Sequence, residues 1–290
     1  MTAAGWIWVA VAGLLAILDW TAVAAGSRLL ERCAKPAVLL ALLAAAVTAQ
    51  PQHEDVHGWL VLALCLGLIG DVALSFAPPG QPMEQPVRQP AGTGTAPAVP
   101  APAVPAPAVP APAVAASAVP APAVAAPAVP APAGGGAHRA RSAVSAGRAR
   151  AERQPMALFA AGLACFLLGH LCYSVAMLKY GTEQLSLGFG LVLVLLALLA
   201  FGHRVLAGAQ RQGGNALTIA VAAYIATLGS TVVLGIGTTS LWIAYGIVAF
   251  AVSDLVLAND RFVARRGWAP LTVAISYHLA QTLLLLGLLN

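Results

Sequence analysis

Residues 58–77 read GWLVLALCLGLIGDVALSFA, twenty residues with a single charge, Asp71, towards the end. As an α-helix rising 1.5 Å per residue, such a run is about 30 Å long, the thickness of the hydrocarbon core of a bilayer. It lacks the alternation of a barrel strand, and in lipid a helix satisfies every backbone N–H and C=O within one segment. Further runs of this type lie at about 6–26, 34–49, 156–178, 185–203, 215–236, 239–258 and 268–288. The fold class they predict is all-α, a polytopic transmembrane helix bundle of about eight helices, in which 34–49 is the shortest.

Composition points the same way. Hydrophobic residues make up 60% of the chain and charged residues 9%, and mean hydropathy is +0.84. Soluble domains carry about 25% charge, so too little polar surface is present to coat a water-soluble globule. The first run has no basic segment before Trp6, contains Asp19 and lacks a convincing cleavage site, so it reads as a retained helix rather than a secretory signal. The four cysteines, Cys33, Cys65, Cys165 and Cys172, have neither CxxC nor zinc-site spacing and read as small buried hydrophobes.

The formal net charge of +5 does not point to nucleic acid, because the cations are confined to alternate loops. After runs one, three, five and seven come Arg28, Arg32 and Lys35; Arg88, Arg139, Arg141, Arg148, Arg150 and Arg153; Arg204 and Arg211; and Arg261, Arg265 and Arg266. The other loops hold only Lys179. By the positive-inside rule the odd-numbered loops are cytoplasmic and both termini lie on the opposite side of the cell membrane.

Residues 78–155 interrupt the pattern, so the chain divides into 1–77 with helices one to three, the insertion 78–155, and 156–290 with helices four to eight. The two helical parts form one membrane domain. After Pro78 and Pro79 the insertion runs through APAV units from about Ala96 to Ala133, then Gly134 to Gly136 and a basic stretch. It is too poor in large apolar residues to bury a core, and its prolines favour polyproline II, which makes it a disordered cytoplasmic spacer. The PxxP spacing also fits an SH3 or WW ligand, but bare Ala/Pro repetition lacks the flanking residues that specify one. Its basic end suits anionic headgroups.

Chemistry in such a chain has to come from polar residues inside apolar helices. A charge at membrane depth costs several kcal/mol on insertion scales, so such residues face a cavity or a partner. Asp19, Asp71 and Asp254 all fall within roughly 6 to 10 Å of the cytoplasmic ends of their helices by helical rise. That depth makes them candidates for one shared site; the plain alternative is a structural hydrogen bond to a neighbouring helix. Gly67 sits one turn before Asp71 and permits close helix approach, and Asp254 follows Ser253 one turn after Phe250. Helix four carries Gly162, Phe166, His170 and Tyr173 in one stripe. Helix six carries Tyr224, Thr227 and Thr231, and helix eight Tyr277, His278 and Gln281. Polar stripes on several helices imply a common polar interior.

The ordered set Gly70-Asp71, Phe166-x-x-Gly169-His170-x-x-Tyr173, Phe250-x-x-Ser253-Asp254-x-x-Leu257-x-x-x-Arg261-Phe262 and Tyr277-x-x-x-Gln281 resembles the YhhN family, whose animal members are lysoplasmalogenases. Lys35-Pro36 and Tyr224 also fit that pattern. The long insertion and His278, where an aromatic or aliphatic residue is expected, depart from it. The resemblance implies a hydrolase acting on the vinyl ether bond of a lysophospholipid, in contact with membrane lipids and without a cofactor. It would release a fatty aldehyde and glycerophosphoethanolamine or glycerophosphocholine. That reaction needs an acid to protonate the β-carbon and a base to direct water onto the resulting oxocarbenium carbon. Asp71 and Asp254, placed side by side, would divide those roles. His170 and Tyr173 would orient water or substrate, as would Ser253, Tyr224, Tyr277 and Gln281. Lys35 would hold the phosphate as a point charge, unless it serves only as a positive-inside anchor. No metal motif is evident, although two Asp and two His inside a bundle are also a zinc-type donor set. The rival reading is a proton-coupled or small-solute transporter, which uses intramembrane carboxylates and histidines as relays.

The charge asymmetry generates a direct test of topology. Protease added to sealed right-side-out cells is expected to spare residues 78–155, and protease added to inverted vesicles to cut there and leave two membrane fragments. Cleavage from the outside would reverse the assignment.

Overall fold

The apolar runs fold as helices, and no strand forms among the described residues, which in this computed structural model are 1–76, 158 and 160–290. In chain order they are α1 (Ala3–Ala24), α2 (Arg28–Thr48), α3 (Glu54–Phe76), α4 (Ala160–Tyr180) and α5 (Gln184–Ala197). A π-helical turn (Leu198–Gly202) then leads into α6 (His203–Gly237), followed by α7 (Leu241–Phe262) and α8 (Ala269–Leu289). The described residues belong to a single unit. The insertion expected at 78–155 lies outside them.

Six helical runs among the described residues are long and apolar enough to cross a membrane, with Gln184–Gly237 behaving as one. This is a multi-pass membrane protein, but the segments differ in two ways from eight equal spans. First, α2 does not qualify, because Arg28, Glu31, Arg32 and Lys35 occupy its opening turns. Its buried face of Ala34, Val38, Leu39, Ala41, Leu42, Ala45 and Ala46 is what joins it to the bundle. Second, the segments expected at 185–203 and 215–236 are not parted by a loop at 203. The helix continues through the π turn to a break at Gly213–Gly214, where Gly214 takes φ +61°, a conformation that glycine adopts without a Cβ penalty. Side chains bridge the break. Gln210 donates to Asn215 at 2.9 Å and Thr218 donates to Gln210 at 2.6 Å.

Local chemistry sets the other boundaries. Thr2 caps α1 by accepting the Gly5 N–H at 3.0 Å, and its hydroxyl donates to the Thr48 carbonyl at 2.8 Å, tying the start of α1 to the end of α2. Between these helices the Ser27 N–H returns to the Ala22 carbonyl at 2.9 Å, closing a tight turn.

α8 is the hub. It packs against α1, α2, α3 and α7, and it is the most deeply buried of the six apolar spans among the described residues. Against α7 it comes to backbone distance, since a Cβ on Gly287 would stand 2.9 Å from the Ile243 nitrogen. At the other extreme, α5 lies on the edge with Gly190 as its one buried residue. Its Leu185 is 81% exposed, and Leu199 in the π turn 76%, surfaces that suit lipid. The cysteines are free and only Cys172 is buried; Cys33 is exposed, because it lies on the face of α2 turned away from the bundle.

Candidate functional site

The intramembrane polar residues gather into separate groups. In the first, Lys35 of α2 places its Nζ 3.2 Å from Asp71 Oδ1, while the Tyr277 hydroxyl of α8 donates to Asp71 Oδ2 at 2.9 Å. The Lys35 ammonium also lies 5.3 Å from the centre of the Tyr277 ring, a cation–π contact. Asp71 is wholly buried. Small residues on α3 make room for this arrangement. A Cβ on Gly67 would meet the Tyr277 hydroxyl and Gln281 Nε2 at 3.4 Å, and one on Gly70 would stand 2.8 Å from the Phe166 ring.

The second group spans α4, α6 and α7. Tyr224 donates its hydroxyl to Asp254 Oδ2 at 2.7 Å, and His170 Nε2 approaches the same oxygen at 3.1 Å. The Tyr224 oxygen lies 3.3 Å from His170 Nε2, which closes a triangle of phenol, imidazole and carboxylate. In the tautomer that carries its proton on Nε2, His170 donates to the carboxylate, and its buried Nδ1 has no hydrogen-bond partner among the described residues. Its backbone is fixed as well: Thr231 donates to the His170 carbonyl at 3.3 Å and exchanges a 2.9 Å hydrogen bond with Ser174. Thr227 instead bonds back to the Ala223 carbonyl within its own helix.

Phe250 stands between the two groups. Its ring meets His170 edge-on at 4.6 Å and Tyr277 at 5.5 Å. Tyr173, 6.4 Å from the same ring, donates to the side-chain carbonyl of Gln281. Ser253 donates to the Val273 carbonyl at 3.3 Å, joining α7 to α8. The two carboxylates expected to form a shared pair are therefore partnered apart, and among the described residues neither takes the other as a hydrogen-bond partner. The physical reason is charge compensation: each acid has found donors of its own, which a pair of bare carboxylates lacks. The zinc-type donor set is dispersed in the same way, with His170 beside Asp254, Lys35 beside Asp71 and His278 elsewhere.

A cavity of about 340 Å³ lies against both groups. Lys35, Tyr277, Tyr224, Asp254 and Arg261 reach its wall, together with Ser253 and Phe166, and the remaining lining is apolar and drawn largely from α5, α6 and α7. Asp254 keeps 11% side-chain exposure and Lys35 20%, whereas Asp71 has none. Asp254 thus faces the cavity, and Asp71 stands behind Lys35 and Tyr277.

The third acid has a neighbour that its sequence context did not announce. Asp19 is fully buried on α1, and His278 Nε2 lies 4.0 Å from its Oδ2. Trp20 donates its indole N–H to His278 Nδ1 at 3.2 Å, which leaves the proton of the neutral imidazole on Nε2, aimed at Asp19. At that separation neither Asp19 oxygen nor His278 Nε2 completes a hydrogen bond. Trp20 carried no signal in the sequence beyond lying next to Asp19.

Residues 146–288 match the YhhN family. Proteins named lysoplasmalogenase from Mycobacterium bovis and Mycobacterium tuberculosis are each 30% identical to this chain over 132 residues, 44% of this chain and 50% of theirs. The chain thus aligns with about half the length of these curated relatives. No solved structure matches. The family match contains His170, Tyr173, Tyr224, Asp254, Tyr277 and Gln281, whereas Lys35 and Asp71 precede it.

The Asp19–His278 contact yields a stability test. His278→Phe removes the acceptor of the Trp20 N–H and the imidazole beside a buried carboxyl, and is expected to destabilise the protein by about 1 to 3 kcal/mol. Adding Asp19→Leu should restore part of that loss, because the buried carboxyl that the imidazole N–H faced is then gone. The melting temperature in detergent reads both effects, and additive losses in the double variant would show that the two residues do not interact.

Proposed function

Residues 146–288 belong to the YhhN family, and from that premise we propose that this protein is a membrane-embedded hydrolase cleaving the vinyl ether bond of lysoplasmalogen-type lysophospholipids. The observation that carries the reading is the Asp254–Tyr224–His170 triangle at the wall of an apolar cavity that Lys35 also reaches. An amphiphile with one hydrocarbon tail and a phosphate fits such a lining.

In this reading Asp254 does the proton chemistry. Its carboxyl gives a proton to the β-carbon of the vinyl ether, whose π electrons form the new C–H bond and leave an oxocarbenium carbon. The carboxylate so formed takes a proton from the attacking water as the C–O bond is made, which regenerates the acid and gives a hemiacetal. Transfer of the hemiacetal O–H proton to the departing glycerol oxygen then releases the aldehyde and the glycerophospho alcohol. Tyr224 and His170 hold the carboxylate in position through all three steps. Lys35 meets the phosphate as a point charge, with Asp71 and Tyr277 fixing its place. Asp71 thereby acts through Lys35 rather than as the second half of a carboxylate pair.

The same reading assigns eight crossings, counting α2 and the two limbs on either side of Gly213–Gly214, with the loops rich in Arg on the cytoplasmic side.

The test is release of fatty aldehyde from lysoplasmalogen by purified protein in detergent. Asp254→Asn keeps the shape of the side chain but neither gives nor takes the proton, and should lower kcat on the order of 10² to 10⁴-fold with an unchanged melting temperature. Asp71→Asn should raise KM by about tenfold or more with a smaller change in kcat, as loss of a held cation requires. A well-folded Asp254→Asn variant that turns over at the wild-type rate would remove Asp254 from the acid–base step, whereas a well-folded wild-type protein that releases no aldehyde would favour the transporter reading.

A further inference from the structure

The cavity has an opening, and its position is informative. Six of the residues that line it are exposed: Leu193 (39%), Ala197, Leu198 (38%) and Phe201 (37%), from α5 and the π turn after it, and Val252 (42%) and Leu257 (41%) on α7. α5 packs against α6 but not against α7 among the described residues, so these two apolar rims face each other across a gap backed by α6.

The described surroundings bound the cavity on other sides. Towards one end, α5 and α6 touch backbone to backbone, where a Cβ on Gly190 would stand 3.0 Å from the Val233 Cα. Nearer the site the fit loosens to a side-chain contact, with Val194 Cγ1 3.0 Å from a Cβ on Gly229. Past that point the π turn inserts an extra residue into the helix and brings Leu198, Phe201 and Gly202 to the cavity wall. At the far end Val205, Ala209, Val221 and Phe262 form a tight apolar plug, in which a Cβ on Gly208 would overlap the Phe262 carbonyl oxygen. The inner wall carries Lys35, Tyr277, Tyr224 and Asp254.

We propose that the gap between α5 and α7 is a side entrance through which the hydrocarbon tail of a single-chain lipid passes from the bilayer, with its polar head at the inner wall. This rests on reading the cavity as a lipid-hydrolysing site. The chemistry on both sides agrees with it. An apolar rim on a membrane protein meets acyl chains and not water, so a tail crosses it without desolvation, whereas a soluble polar substrate does not. One apolar channel leads from the rim to the polar wall, which accommodates one tail.

Two measurements separate the entrance from the chemistry. A lysophospholipid with a diazirine at the end of its tail, photolysed with the protein in liposomes, should label residues 193–201 and 252–257, and should do so equally in Asp254→Asn. Leu193→Trp and Val252→Trp add bulk at exposed positions and should leave the melting temperature unchanged. Each should lower kcat/KM for a long-chain lysoplasmalogen by about tenfold, and for a short-tailed soluble vinyl ether analogue by less than about twofold. Label on another face of the bundle, or equal losses for long and short substrates, would overturn the entrance. Rim labelling without turnover of any vinyl ether would support the entrance while refuting the proposed reaction.

Discussion

An ionisable side chain inside a hydrocarbon-thick bundle has to find its own compensation, and the whole interior of this protein is arranged around that requirement. Apolar helices in lipid gain little from hiding apolar surface in one another, so association falls to close packing and to polar contacts. Asp71 illustrates this. Buried completely on α3, it is held by an ammonium from α2 and a phenol from α8, and those two bonds fix three helices to one another. Asp254 does the same for α4, α6 and α7 through His170 and Tyr224. Removing either acid would leave donors facing hydrocarbon on two other helices.

An aromatic wall separates the surroundings of the two acids. Phe250 lies between His170 and Tyr277, and Phe166 meets the Tyr277 ring at 5.9 Å, so the groups share a cavity without merging. A carboxylate facing that space and one lying behind an ammonium have different neighbours and therefore different chemistry. Gly70 is a condition for this layout, because a Cβ there would stand 2.8 Å from the Phe166 ring, and one on Gly67 would crowd Leu39 at 3.1 Å.

Much of this was legible in the sequence, for reasons that particular residues make plain. A charge in an apolar run is conspicuous because it is expensive, so Asp19, Asp71 and Asp254 stood out, and spacing along one helix put Phe166, His170 and Tyr173 on a common face. Partnership between helices was not legible. Nothing local distinguishes an Asp71 that meets Lys35 from one that meets Asp254, since that depends on helix order and rotation around α8. For the same reason Trp20 was invisible: its partner His278 is 258 residues away. The helix break at Gly213–Gly214 was placed near the right point by the apolar runs, but the continuation of the helix past residue 203 was not, because a π turn leaves the apolar pattern intact.

The position of Lys35 shows how a buried acid can fix a cation beside a cavity that the acid itself does not line. A lone ammonium on a flexible stem would turn towards the nearest polar surface, and in a bundle that surface is the membrane interface. Asp71 prevents this by holding Nζ from the protein side, and Tyr277 flanks it with a ring face 5.3 Å away. Lys35 itself lines the cavity and keeps 20% side-chain exposure, while Asp71 has none. An anionic group that arrived there would complete a carboxylate–ammonium–anion line without drawing the lysine out of place. In the proposed reading, that line is what holds the phosphate while Asp254, on the other side of Phe250, stays free to handle the proton.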